Sequence, residues 1–134
     1  FELIKTTPAG GNYSNDFTAE GTVEATPNLW VLGNYSLFIR PGYKRIALSA
    51  TETKDFFGSA YASPDGNTVV AVYTNTSKDR GVTLDNTFAG SKKLKTVSRY
   101  TSSEDKNLKE EKFNIADKVF VDPKSVTTIV YTFE

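Results

Sequence analysis

The chain has 134 residues, and its 16 Lys and Arg balance its 16 Asp and Glu, so the formal net charge at pH 7 is zero. That length fits one domain of common size with a core that needs no disulfide, and the charge balance gives no reason to expect nucleic acid or an anionic membrane as a partner. Cys, His and Met are all absent, which excludes the usual zinc sites and both Ser-His-Asp and Cys-His catalysis.

An enzyme made from this chain alone would have to use carboxylates, Lys or Tyr. No apolar run approaches the roughly 20 residues of a transmembrane helix, and no basic segment followed by an apolar one opens the chain as a signal peptide does. The missing Met reads as a processed product or a piece of a longer protein.

Residues 1–25 carry turn formers in Pro8-Ala9-Gly10-Gly11-Asn12 and polar residues after them, so apart from an apolar start at Phe1 to Ile4 they read as loop. Thr26-Pro27 predicts a helix start, with the Thr hydroxyl accepting from a free backbone donor and Pro at the first helical position. The helix is expected to stop at Ile39 or Arg40, because Pro41 disfavours helical geometry in the residue before it. On its wheel Val31, Leu32, Tyr35, Phe38 and Ile39 fill one broad arc, Trp30 and Leu37 a second, and Gly33, Ser36 and Arg40 a narrow polar strip. A helix this apolar calls for partners on more than one side.

Beyond Gly42 the pattern is that of strands. Ile46, Leu48 and Ala50 alternate with Arg45, Ala47 and Ser49, and Phe56 to Ser63 runs into the turn Ser63-Pro64-Asp65-Gly66-Asn67. Thr68 to Asn75 is apolar on both faces and predicts a central strand. Shorter runs follow at Val82 to Leu84, Leu94 to Tyr100, Lys112 to Ile115 and Val119 to Val121, and Ser125 to Phe133 closes the chain. The expectation is a mainly β protein, an antiparallel β-sandwich of about eight strands preceded by one α-helix. Alternation places Ile46, Leu48, Val70, Val72, Val126, Thr128 and Val130 inward, with Val69, Ala71 and Ile129 covered by other elements.

Candidate chemistry is sparse. Glycoside hydrolysis needs two carboxylates about 5 to 10 Å apart, but the densest acidic set, Glu104, Asp105, Glu110 and Glu111, is interleaved with Lys106, Lys109 and Lys112 as in a solvated hairpin. Trp30 with Tyr43, Tyr61, Tyr73, Tyr100 and Tyr131 suggests a sugar-stacking platform, although packing explains Trp30 better in a helix. Asp65-Gly66-Asn67 and Asp85-Asn86 offer oxygen ligands to calcium without an EF-hand spacing, and turn chemistry accounts for both. Asn12, Asn34 and Asn75 each begin an Asn-x-Ser pattern.

The run Leu29-Trp30-Val31-Leu32-Gly33-Asn34-Tyr35-Ser36 through Phe38-Ile39-Arg40-Pro41-Gly42 resembles the end of the catalytic barrel in family 30 glycoside hydrolases, which include glucosylceramidases, xylanases and endo-acting 1,6-glucanases and 1,6-galactanases. In that family the motif is the last barrel helix and leads into a side β-sandwich. The likeness continues through Ala62-Ser63-Pro64-Asp65-Gly66, Tyr73-Thr74-Asn75, Tyr100-Thr101-Ser102-Ser103 with Lys106-Asn107-Leu108, and Pro123-Lys124-Ser125-Val126-Thr127-Thr128, in the same order. Leu37 departs from it, since the family usually has Arg or Lys there. The family's two catalytic glutamates lie on barrel strands that precede everything present here, so no catalytic residue, metal site or cofactor is carried over.

The resemblance implies two parts: residues 1–42 as a loop segment with the last barrel helix, and residues 43–134 as the sandwich. It implies a noncatalytic C-terminal domain of a retaining glycosidase on β-linked glycans, bracing the barrel of the same polypeptide and contributing to glycan binding. Trp30, Leu37, Phe38 and Arg40 are the barrel-packing candidates, and no glycan-contact residue is identified. A secreted, periplasmic or cell-surface location follows from the resemblance alone. Left without a barrel, the helix is expected to pack on Phe1, Leu3 and Ile4 or on a second copy of the chain. An independent carbohydrate-binding module and a cell-surface adhesion or spacer domain are the alternatives.

Overall fold

The structure is a computed structural model that describes residues 2–8, 21–49 and 53–134. Among these residues the chain forms β1 (Ile4–Pro8), β2 (Gly21–Ala25), α1 (Pro27–Ser36), β3 (Lys44–Ile46), β4 (Phe56–Ala62), β5 (Thr68–Asn75), β6 (Val82–Leu84), β7 (Leu94–Ser102), β8 (Lys109–Phe113), β9 (Val119–Val121) and β10 (Ser125–Phe133). The expected mainly β, antiparallel architecture with one preceding helix is what forms. The turn formers at Ala9 to Asn12, the Asn12 pattern and Ala50 lie outside the described residues.

A six-stranded antiparallel sheet in the order β3-β4-β5-β10-β7-β8 is the frame, with β5 and β10 at its centre. These two strands are apolar on both faces because both faces are covered. On one, Ala71, Tyr73, Ile129 and Tyr131 join Phe56, Ala60 and Val97 in a core closed by Val119 and Val121 of the two-stranded β6-β9 ribbon. On the other, α1 packs on β7 and β10. The alternation predicted from sequence holds, but the two faces exchange roles. Val70, Val72 and Thr128 are buried on the helix side, and it is the set containing Ala71 and Ile129 that meets the second layer. Ile46 is 37% exposed on the short edge strand, against expectation, whereas Leu48 is half-buried against the core. Periodicity groups residues by face; which layer each face receives is decided elsewhere in the chain.

Residues 4–8 and 21–25, expected as loop, pair as a two-stranded hairpin. The hairpin is tied to the helix by Thr26, whose hydroxyl donates to the carbonyls of Glu2 and Leu3 rather than accepting from the first helical turn. Pro27 takes the first helical position as expected. The helix ends at Ser36, earlier than predicted, because the Leu37, Phe38 and Ile39 amides turn back onto Gly33 and Tyr35 and tighten the last turn. β8 starts at Lys109, earlier than the apolar pattern indicates, because it pairs with β7 as a hairpin from Thr101↔Lys109 onward. In the β4–β5 turn, Gly66 sits at φ +66, a conformation open to glycine at little strain.

Candidate functional site

The two buried residues of α1 are Gly33 and Asn34, one small and one polar. Asn34 is fully buried, and its amide nitrogen donates to the Trp30 carbonyl at 2.9 Å and to Ser102 Oγ at 2.8 Å. Thr128 Oγ1 donates to the Asn34 main-chain carbonyl and side-chain oxygen, and the Leu108 amide donates to Ser102 Oγ at 3.2 Å. One side chain thus links α1 to β7 and β10. Gly33 leaves room for Leu108 beside the helix, since a Cβ there would stand 2.8 Å from Leu108 Cδ1.

The opposite side is apolar and open. Val31, Leu32 and Tyr35 are 39%, 42% and 37% exposed, and Leu37 just past the helix is 51% exposed. Val31, Leu32 and Tyr35 form an outward arc with no covering element among the described residues, whereas Leu37 lies toward Gly33, its Cδ1 3.7 Å from where a Cβ on that glycine would stand. Of the residues picked from sequence, Trp30 is half-buried, one turn before Asn34 on the same side of the helix. Phe38 is half-buried with its ring 4.4 Å from that of Tyr100, and Leu37 is exposed. Arg40 is exposed and donates to the Ser36 carbonyl at 3.2 Å. The structure therefore divides these four between two sides of the segment. Val31, Leu32 and Tyr35 belong to the open arc and are legible on the wheel as its largest apolar arc; the wheel alone does not say which arc faces the sheet.

Beside the N-terminal half of α1 runs an open groove of about 370 Å³ between Pro27 and Val31 on the helix and Thr74, Ser102, Glu104 and Val126 at the strand ends. Its lining brings together no pair of carboxylates. Of the acidic residues singled out from sequence, Glu104 lies in this lining and the other three are engaged elsewhere. Glu110 accepts from the Tyr100 hydroxyl and Asp105 from Ser103 Oγ, which holds the Asp105 carboxyl below the usual range. Glu111 is not part of a solvated face: it pairs with the buried Arg99, whose hydrogen bond holds its carboxyl below the usual range.

Two of the tyrosines picked from sequence are closed off from any stacking surface. Tyr73 and Tyr131 are core residues, each 4% exposed, and burial pushes both hydroxyls up from their ordinary range. Tyr43, Tyr61 and Tyr100 are half-buried. Asp65 spends its oxygens on Ser63 Oγ, the Asn67 amide and the Asn67 side chain, while Lys92 Nζ caps the same turn through the Asp65 carbonyl and Asn67 Oδ1. Asn34 and Asn75 are 0% and 2% exposed, so neither presents an acceptor for a glycan in the folded chain.

No family model matches the chain. Over 72 residues it is 39% identical to the lysosomal acid glucosylceramidase of Mus musculus, a match covering 54% of this chain and 14% of that protein. Its fold is similar to that of a conserved exported protein from Bacteroides fragilis, with TM-score 0.78 and 30% identity over 96% of this chain and 26% of the other. It is also similar to a GH30 endoxylanase from Clostridium papyrosolvens C71, with TM-score 0.65 and 26% identity over 81% of this chain and 28% of the other. The chain therefore spans about a quarter or less of the length of these relatives.

Proposed function

We propose, for a chain whose likeness to the C-terminal side β-sandwich of family 30 glycoside hydrolases is carried by both sequence and structure, that it is the noncatalytic side domain of a retaining glycosidase acting on β-linked glycans. It braces the catalytic barrel of the same polypeptide through the outward arc of α1, and its sandwich extends the glycan-binding surface. The exported neighbour supports a location outside the cytoplasm.

The observation that carries this reading is the orientation of α1. A surface helix of a free-standing domain turns its large apolar residues inward, whereas here Gly33 and Asn34 are buried and Val31, Leu32, Tyr35 and Leu37 are exposed. Each such side chain stabilises by about 1.5 to 3 kcal/mol when fully buried, so the arc is matched to a partner that supplies an apolar surface. The absence of a carboxylate pair in the groove lining, where Glu104 is the one acid among the described residues, supports a noncatalytic role.

The test has two arms. The purified chain, assayed on aryl β-glycosides and on 1,4- and 1,6-linked β-glycans, is expected to show no turnover; turnover lost on changing one carboxylate to its amide overturns the reading. Mixed with a separately produced barrel from the same reading frame, the parent chain is expected to bind and a Val31→Ser, Leu32→Ser, Tyr35→Ser variant to bind far more weakly. Equal binding of the two would remove α1 as the contact. Affinity of the isolated chain for an insoluble β-glycan would mark it instead as an independent carbohydrate-binding module.

A further inference from the structure

Arg99 is the one charged residue buried among the described residues, at 7% exposure. It lies on β7, on the face that carries the core. Its guanidinium pairs with Glu111 of β8, donates to the main-chain carbonyl of Phe120 on β9, and sits 5.2 Å from the centre of the Phe113 ring. Three elements therefore meet at one side chain, and one of them belongs to the second layer.

The β6-β9 ribbon has little stability of its own. Its two strands are three residues long and, among the described residues, pair only with each other, and an isolated two-stranded ribbon is marginal in water. At its ends the chain is tied by Lys106 to Asp122 and by the Asn75 amide to the carbonyls of Arg80 and Asp122. At its middle, Val119 and Val121 rest on the core and the Arg99 bond holds Phe120. Arg99 does for the outer edge of β9 what a further strand would do, by taking up a carbonyl.

We propose that the Arg99–Glu111 pair is a latch holding the β6-β9 ribbon against the six-stranded sheet, so that breaking the pair opens the ribbon as a unit while the sheet and α1 stay folded. Removing one partner of a buried pair leaves an uncompensated charge, which is strongly unfavourable. Arg99 already has one donor, Nε, without a partner. Deprived of Glu111 it must reach water, and the layer standing over it is the ribbon. Local opening of the marginal unit that covers the lost partner is the ordinary response to such a loss.

Amide hydrogen exchange in the full chain tests this. Glu111→Gln keeps the volume and removes the charge; Arg99→Lys keeps the charge and loses the planar fork that reaches Glu111 and Phe120 together. Both are expected to speed exchange at residues 82–84 and 119–121 by about tenfold or more, with β5 and β10 unchanged. Glu110→Gln, one residue along β8 and bonded to Tyr100 rather than Arg99, is expected to leave the ribbon as protected as in the parent. Equal acceleration in β5 and β10, or no change at 119–121 in Glu111→Gln, overturns the latch.

Discussion

Thr128 Oγ1 shares its hydrogen between the two oxygens of Asn34, the main-chain carbonyl at 2.7 Å and the side-chain oxygen at 2.9 Å, across 94 positions of sequence. With Ser102 and the Trp30 carbonyl taking the amide hydrogens, a fully buried Asn is satisfied on both sides. A polar residue beneath a helix is tolerated only on those terms.

Thr128→Val should therefore destabilise the chain by about 1 to 3 kcal/mol, the usual penalty for a buried polar group left without its partner. Urea denaturation at constant slope measures it. A midpoint equal to the parent's would show that the clasp adds nothing to stability.

Gly33 faces Leu108 Cδ1 at a distance where a Cβ must push it aside. Gly33→Ala is expected to be near neutral, since the end of the Leu108 side chain can shift and Ala gains up to about 1 kcal/mol in helix propensity over Gly. Gly33→Val should cost about 1 to 3 kcal/mol by overpacking. Thermal midpoints of the two variants, compared with the parent, separate the effects.

The outward arc should be dispensable for folding and important for association. Val31→Ser with Leu32→Ser is expected to keep the parent's thermal midpoint while lowering any concentration-dependent mass seen by sedimentation, because both residues are exposed. Trp30→Ser should lower the midpoint instead, since Trp30 is half-buried beside Asn34. A double Ser variant that unfolds early would show the arc to be covered internally.

Stability should depend on the protonation of Glu111. Its carboxyl is held below the usual range chiefly by the Arg99 hydrogen bond, whereas in the unfolded chain it titrates near the ordinary Glu value of about 4.3. The contribution is thus fully present above that value and is lost as pH falls through the lower folded one. Denaturation of parent and Glu111→Gln between pH 7 and 3 checks the sign: the gap between them should narrow toward acid. A gap that widened would contradict the pairing.

Much of this architecture is local and was legible from residue pattern. Thr68 to Asn75 and Ser125 to Phe133 are strands because their β-branched and aromatic residues suit a pleated surface, and their two-sided apolarity announced cover on both faces. Asp65-Gly66-Asn67 made its turn with the Asp65 carboxylate accepting from the Asn67 amide and side chain. Pro27 opened the helix, and the helix motif carried the family likeness.

What the tertiary structure alone decided concerns contacts between distant positions. Periodicity could not tell that the row of Ala71 and Ile129 would face the ribbon while Thr128 met the helix, because both rows are apolar enough for either layer. Nor could it tell that α1 would turn Asn34 rather than Val31 to the sheet, since that depends on Ser102 and Thr128 waiting at the right register to satisfy a buried amide. Glu111 looked like one more solvated acid among lysines, and only the pairing of β8 with β7 set it opposite Arg99. Side-chain type and spacing act over a few residues; which face is buried, and which charge is paired, is settled by whatever the chain brings to the other side.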